Sequence, residues 1–135
     1  MKSACALLLL TGAAAASFEV TLLPQFVKAG AQTHYGDPFT GPCETDEQNV
    51  TIQGVPGAAC IPECTGILKS KCPTDVPAGV TATPTCALSS SSGAKYCALI
   101  CSPSVDLKSL RAGDAQCGAA TCQPISGTGI CTYTK

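Results

Sequence analysis

The chain has 135 residues, a formal net charge of −1, no tryptophan and 11 cysteines. This length suits one ordinary domain or two very small ones. The near-neutral charge, without a basic cluster in the sequence, argues against nucleic acid or an anionic lipid surface as the partner.

Residues 1–16 have the pattern of a secretory signal peptide. Lys2 supplies a positive charge, and residues 4–10 (ACALLLL) form an apolar segment too short to span a bilayer. Small residues follow, so cleavage is expected after Ala16. A buried N-terminal helix is the alternative, but it would lack a capping residue. With no second long apolar run, the sequence predicts a secreted, extracellular protein without a membrane span.

The cysteine count supports the same compartment. Removal of Cys5 with the signal leaves ten cysteines (11 − 1), an even number that indicates up to five disulfides in an exported chain. These ten are Cys43, Cys60, Cys64, Cys72, Cys86, Cys97, Cys101, Cys117, Cys122 and Cys131. Large apolar side chains are sparse in residues 43–135, so cross-links must compensate for a small core.

Residues 17–42 contain no cysteine and carry an apolar cluster from Phe18 to Val27. A propeptide, a packed N-terminal strand and a loose tail all fit this segment, and the strand is favoured because exposed Phe and Leu would promote aggregation. Alternating apolar residues predict a strand over Asn49–Val55, ended by Pro56-Gly57.

Further elements are predicted downstream. Four glycines and prolines within 73–84 indicate an extended loop, and 89–93 (SSSSG) indicates a turn. The apolar run 96–100 predicts a strand. Residues 104–112 are compatible with a two-turn helix capped by Ser104.

The cysteine order repeats along the chain. Each C-x3-C pair, Cys60/Cys64 and Cys97/Cys101, is followed by a single Cys, then T-C, S-G and C. Two tandem cysteine-rich knots sharing Cys97 explain this order, and chance alignment is the alternative. The candidate sub-units are 60–97 and 97–131.

Each T-C…S-G…C segment is predicted to form a hairpin with a Ser-Gly turn. We expect each hairpin to be closed by its own disulfide, Cys86–Cys97 in the first and Cys122–Cys131 in the second. The predicted fold class is therefore a small disulfide-rich domain, mostly β or irregular, with short strands and at most one short helix.

Asn49-Val50-Thr51 is an N-glycosylation sequon with no proline at its centre. In a chain that enters the secretory pathway, Asn49 is the predicted acceptor. An unused chance match is the alternative.

Metal and cofactor binding are not expected. Zinc sites favour C-x2-C pairs, whereas both close pairs here are C-x3-C and export favours oxidation. Four acidic residues before the first predicted strand could attract calcium, but no D-x-D-x-D-G loop is present. Solvated surface charge is the simpler interpretation. The four are Asp37, Glu44, Asp46 and Glu47.

Catalysis has little support in the sequence. His34 is the only histidine, so a Ser-His-Asp triad would depend on it. Its Gly-rich neighbourhood favours a surface histidine, and a cysteine-rich chain without tryptophan has little material for a sugar-binding cleft. The sequence therefore predicts a protein that is not an enzyme.

The segment between Cys64 and Cys72 (TGILKSK) holds Lys69 and Lys71. Small protease inhibitors present a basic residue on such a pinned loop, so inhibition is the alternative function. Two solvated lysines are the simpler interpretation.

The tail Asp114–Tyr133 (DAQCGAATCQPISGTGICTY) is similar to the D-x-x-C-x4-C…G-x-C signature of extracellular cysteine-rich modules, including those of the Dickkopf type. The longer run Cys60–Tyr133, with CPTDVP, TPTCAL, KYCALICSP and LRAGDAQCG, resembles uncharacterised small secreted cysteine-rich proteins of unicellular eukaryotes such as algae. This resemblance implies secretion and disulfides and no particular activity. The leading expectation is a non-enzymatic secreted protein that binds an extracellular protein or glycan at a cell surface or in a matrix.

Overall fold

The computed structural model describes residues 18–23, 33–103 and 114–135. Within these ranges, seven strands form one sheet, accompanied by one short 3₁₀ turn. The strands are β1 Phe18–Leu23, β2 Glu47–Ile52, β3 Ala59–Pro62, β4 Thr83–Ser90, β5 Lys95–Cys101, β6 Thr121–Ile125 and β7 Thr128–Thr132, and the turn is Asp114–Gln116. The predicted small, disulfide-rich, mostly β fold is confirmed. The signal segment 1–16 and the predicted helix 104–112 lie outside the described residues.

The N-terminal strand holds two parts of the sheet together. The strand order is β3-β2-β1-β4-β5-β7-β6, with β1 antiparallel to β2 and parallel to β4. Val20 of β1 is buried among residues of the other strands. The first part of the apolar cluster, Phe18–Leu23, thus forms a strand, as predicted for the cysteine-free segment. Among the described residues, no helix is long and apolar enough to cross a membrane.

Both predicted hairpins are present, as β4–β5 and β6–β7. The second turns at Ser126 and Gly127, which have φ of 42° and 84°, the positive values that a tight two-residue hairpin turn requires. The strand predicted over 96–100 is confirmed as β5. The strand predicted over 49–55 is shifted to Glu47–Ile52, because Gly54 (φ 78°) already turns the chain.

The sheet curls so that the end of β3 returns to β5. Glu63 pairs with Tyr96, and the Cys64 N–H donates a 2.9 Å hydrogen bond to the Lys95 carbonyl. Strand β5 consequently has two buried faces. Tyr96 and Ala98 pack in an aliphatic cluster with residues of β1–β4 and β7, while the alternate side chains of β5 pack in a second cluster rich in cysteine.

The structure joins the ten cysteines in five disulfides, but not as the hairpin hypothesis proposed. The pairs are Cys43–Cys60, Cys64–Cys86, Cys72–Cys97, Cys101–Cys122 and Cys117–Cys131. The predicted Cys86–Cys97 and Cys122–Cys131 bonds are therefore wrong. In both hairpins the two cysteines are direct cross-strand neighbours, and each sulfur instead bonds to a cysteine outside its hairpin.

The same order of pairing occurs in two successive sets of four cysteines. In each set the first cysteine bonds to the third and the second to the fourth. The sets are Cys64, Cys72, Cys86 and Cys97, followed by Cys101, Cys117, Cys122 and Cys131. Cys60, which opened the first predicted sub-unit, bonds outside it to Cys43. Both sets contribute strands to one continuous sheet.

Candidate functional site

Two adjacent apolar side chains protrude from the surface of the described structure. Ile67 is 101% exposed and Leu68 is 82% exposed, against 47% for Leu22 and 41% for Phe39. Single exposed apolar residues are normal on protein surfaces, but two large neighbours that are almost entirely free of protein contact are not. We call Ile67 and Leu68 the apolar tip.

The apolar tip occupies the centre of a tight turn. The Lys69 N–H donates to the Gly66 carbonyl over 3.0 Å, and below the turn the backbones of Thr65 and Lys71 exchange hydrogen bonds of 2.9 and 3.0 Å. Gly66 and Lys69 have positive φ, 86° and 48°. Ile67 and Leu68 occupy the two central positions of the turn, where Gly, Pro, Asn, Asp or Ser are usual. A large aliphatic residue at these positions departs from the usual turn composition, and such departures are expected at functional sites.

Two disulfides support this loop from beneath. One joins Cys64, at the first end of the loop, to Cys86 in β4. The other joins Cys72, at the second end, to Cys97 in β5. The two bridges are stacked, with the Cys64 and Cys97 sulfurs 3.7 Å apart. We call residues 64–72 the pinned loop.

The bridges also touch the loop backbone. The Cys86 Sγ lies 3.2 Å from the Lys69 carbonyl oxygen, and the Cys97 Sγ lies 3.6 Å from that of Lys71. Because both ends and the underside are held, the apolar tip is presented with little conformational freedom left to lose on binding.

Lysines surround the apolar tip. An open groove of about 310 Å³ on one side is lined by the tip together with Lys69, Lys95 and Glu63. A second, of about 400 Å³, is lined by the tip and Lys71. Among the described residues that line the two grooves, there are three positive charges and one negative charge.

Lys69 and Lys71, the candidate inhibitor residues, are exposed in this loop but are not in an extended conformation. Lys69 is left-handed, and the backbone of Lys71 is hydrogen-bonded to Thr65. A segment that pairs with another protein by strand addition presents an extended backbone with free hydrogen-bonding groups. The loop therefore offers its side chains rather than its backbone.

His34, the candidate catalytic histidine, is held between two carboxylates. Its Nδ1 lies 2.7 Å from Asp75 Oδ1, and its Nε2 lies 2.9 Å from Asp46 Oδ2. The backbone N–H of His34 also donates to Asp75 over 3.2 Å. Both ring nitrogens are thus occupied by acids, whereas a Ser-His-Asp triad needs one nitrogen facing the serine.

The surroundings of this cluster favour a charged imidazole. Partial burial lowers the pKa of His34, but hydrogen bonds to Asp46 and Asp75 outweigh it, so its pKa lies above the ordinary value. Burial opposes ionisation of Asp75 as well, yet the His34 hydrogen bonds leave its pKa lowered. His34, Asp46 and Asp75 thus form an ion-paired cluster that joins three loops, and we call it the His34 clasp.

The other acidic candidates also have structural contacts. Glu47 is 1% exposed, and its carboxylate accepts hydrogen bonds from the backbone N–H groups of Tyr35 and Glu44. Burial raises the pKa of Glu47 in spite of these bonds. Asp37 accepts from the Phe39 N–H over 2.8 Å. These carboxylates organise the loops before β2.

Cysteine sulfurs form two tight groups, Cys64/Cys72/Cys97 and Cys101/Cys117/Cys131, each within 4.8 Å. Every one of these sulfurs belongs to a disulfide and so offers no thiolate to a metal.

The sequon residue Asn49 lies in β2, half-buried, opposite Cys60 of β3 and Leu23 of β1.

Sequence reasoning identified the pinned loop through its lysines and missed the apolar tip. The available signal was a pair of large aliphatic residues directly after Gly66, in a short segment between two cysteines.

Comparison of the chain with protein-family models, with curated proteins and with solved structures finds no match.

Proposed function

We propose that this chain is a secreted, disulfide-stabilised, non-enzymatic protein that binds an extracellular partner through the pinned loop. The observation that carries the proposal is the full exposure of Ile67 and Leu68 at the end of a loop held by two disulfides. Keeping two large aliphatic side chains in water forgoes about 1.5–3 kcal/mol each relative to burial. A bound partner would recover that free energy.

Secretion is supported by the five disulfides, which persist in oxidising compartments, together with the pattern of residues 1–16. Asn49 is the proposed glycosylation site. Intact mass spectrometry of the protein secreted from a eukaryotic host tests these points together. We expect a chain that begins at Ser17, takes up no alkylating agent without reduction, and loses mass on enzymatic deglycosylation. Retention of Met1 or alkylation of several thiols would contradict secretion.

Binding is tested by retention of the secreted protein on cell-surface or cell-wall material. The double variant Ile67→Ser/Leu68→Ser should lose retention, whereas Ile67→Leu/Leu68→Ile, which keeps the apolar area, should preserve it. Unchanged circular dichroism and intact disulfides would show that the serine variant is folded. Full retention of the folded serine variant would refute the assignment of the binding surface.

Protease inhibition is the second candidate, because the same loop exposes Lys69 and Lys71 between two disulfides. The left-handed conformation of Lys69 favours the binding proposal instead. A panel of trypsin-like proteases separates the two functions. Inhibition that is abolished by Lys69→Ala or Lys71→Ala, and not by the serine variant of the apolar tip, would establish the inhibitor.

A further inference from the structure

The lysines of the described structure are concentrated at the apolar tip. Of the four lysines in the described ranges, Lys69, Lys71 and Lys95 line the grooves beside Ile67 and Leu68. The fourth, Lys135, lies over the Phe39 ring on another loop. This grouping is not visible in the sequence, because Lys95 comes from β5. That strand is joined to the loop by the pairing of Glu63 with Tyr96 and by the Cys72–Cys97 disulfide.

The side-chain chemistry of this surface narrows the kind of partner. Protein–protein hot spots are enriched in Trp, Tyr and Arg, with Leu under-represented, and protein interfaces are depleted of Lys. The surface here is two aliphatic residues surrounded by lysines, with a single acidic residue, Glu63. Aliphatic side chains that can enter a bilayer, together with lysines that attract phosphate headgroups, are the two contributions that bind proteins to anionic membrane surfaces.

The shape of the loop agrees with this chemistry. Ile67, at 101% exposure, projects beyond its surroundings, which suits insertion into a deformable surface better than packing against a rigid partner. The stacked disulfides beneath the loop keep Lys69 and Lys71 beside the tip, so both contributions act at the same place.

We propose that the pinned loop binds an anionic lipid surface, with Ile67 and Leu68 entering the acyl boundary and Lys69, Lys71 and Lys95 contacting the headgroups. This inference rests on the proposed function and names the partner of the same site. It replaces the sequence-based expectation that an anionic surface is disfavoured, since that expectation considered charge along the chain and not in space.

The test is cosedimentation of the secreted full-length protein with two kinds of vesicle, phosphatidylcholine alone and an equimolar mixture of phosphatidylcholine and phosphatidylserine. We expect binding to the mixed vesicles that weakens with added salt. Each change of Lys69, Lys71 or Lys95 to Gln should weaken it roughly fivefold. Ile67→Ser/Leu68→Ser should weaken it at least roughly tenfold. Lys135→Gln is the matched charge control and should have no effect, and Lys→Arg changes at the three sites should preserve binding.

Insertion is measured separately with Leu68→Trp, since the chain contains no tryptophan. Its fluorescence should shift to the blue and be quenched by brominated lipid, while Phe39→Trp, on a different loop, should do neither. Failure of the folded wild-type protein to bind either vesicle would overturn the lipid inference. If tip-dependent retention on cell-surface protein or glycan persisted, the proposed function would survive that failure. If tip-dependent binding were absent everywhere, both would fall.

Discussion

Cys86 and Cys97 lie directly opposite each other in the β4–β5 hairpin, yet they are not bonded to each other. Cys86 bonds to Cys64 and Cys97 to Cys72, the two ends of the pinned loop. A bond within the hairpin would only have reinforced strands already joined by backbone hydrogen bonds. The observed bonds use the same two strand positions to fasten a separate loop to the sheet.

The first prediction is this pairing itself. Partial reduction of the secreted protein with stepwise alkylation, followed by digestion and mass spectrometry, should label Cys86 together with Cys64 and Cys97 together with Cys72. In the second hairpin, Cys122 should be labelled with Cys101. Release of Cys86 and Cys97 as one pair would contradict the structure.

The second prediction concerns the support beneath the pinned loop. Cys72→Ala/Cys97→Ala should lower the free energy of unfolding by about 3–4 kcal/mol and should reduce hydrogen-exchange protection of the loop amides, because one end is released. The control is Cys43→Ala/Cys60→Ala, which removes a disulfide that closes a comparable span of chain outside the pinned loop. That control should lose similar stability and keep the loop amides protected. Equal loop protection in both variants would show that the bridge does not rigidify the loop.

The third prediction is a pH dependence from the His34 clasp. Replacing His34 with Gln should cost roughly 1 kcal/mol where the histidine is charged in the folded state. The pKa of His34 is raised on folding, so its contribution is fully present below its ordinary value of 6.5 and disappears as pH rises through the raised folded value.

The acid side of the same clasp has the opposite sign. The pKa of Asp75 is lowered on folding, so its contribution is present above its ordinary value of 3.8 and is lost as pH falls through the lowered value. Urea unfolding of the wild type and of His34→Gln should be measured from acid to neutral pH. The difference in unfolding free energy between the two proteins should be largest between pH 3.8 and pH 6.5. A difference independent of pH would argue against the ion pairs.

The fourth prediction concerns Gly129, which lies beneath a disulfide. A Cβ at this position would fall 2.5 Å from the Cys122 sulfur and 2.8 Å from the Cys101 sulfur. Gly129→Ala should therefore displace the bridge and cost about 1–3 kcal/mol of unfolding free energy. Gly41→Ala, where a Cβ meets nothing within 4 Å, is the control and should change stability little. Equal stability of the two variants would contradict the close packing.

The amino-acid sequence by itself determined the class of fold and much of its local structure. Ten cysteines beside a sparse apolar core indicated a cross-linked domain. Alternation located β2 to within a few residues, an apolar run located β5, and Ser-Gly turns located both hairpins. These features are local, since strand alternation and turn conformation depend on residues a few positions apart. The apolar cluster from Phe18 likewise indicated a strand, although not its place between β2 and β4.

Only the tertiary structure decided which distant residues meet. Disulfide pairing depends on the faces that packed strands present to loops, so ten equivalent cysteines could not be paired from spacing. The His34 clasp unites Asp46 and Asp75 from separate loops, and the lysines around Ile67 gather because β3 curls back to β5. Which charged and exposed side chains lie side by side depends on tertiary packing. Here the curl of the sheet places Lys95 of β5 beside the pinned loop.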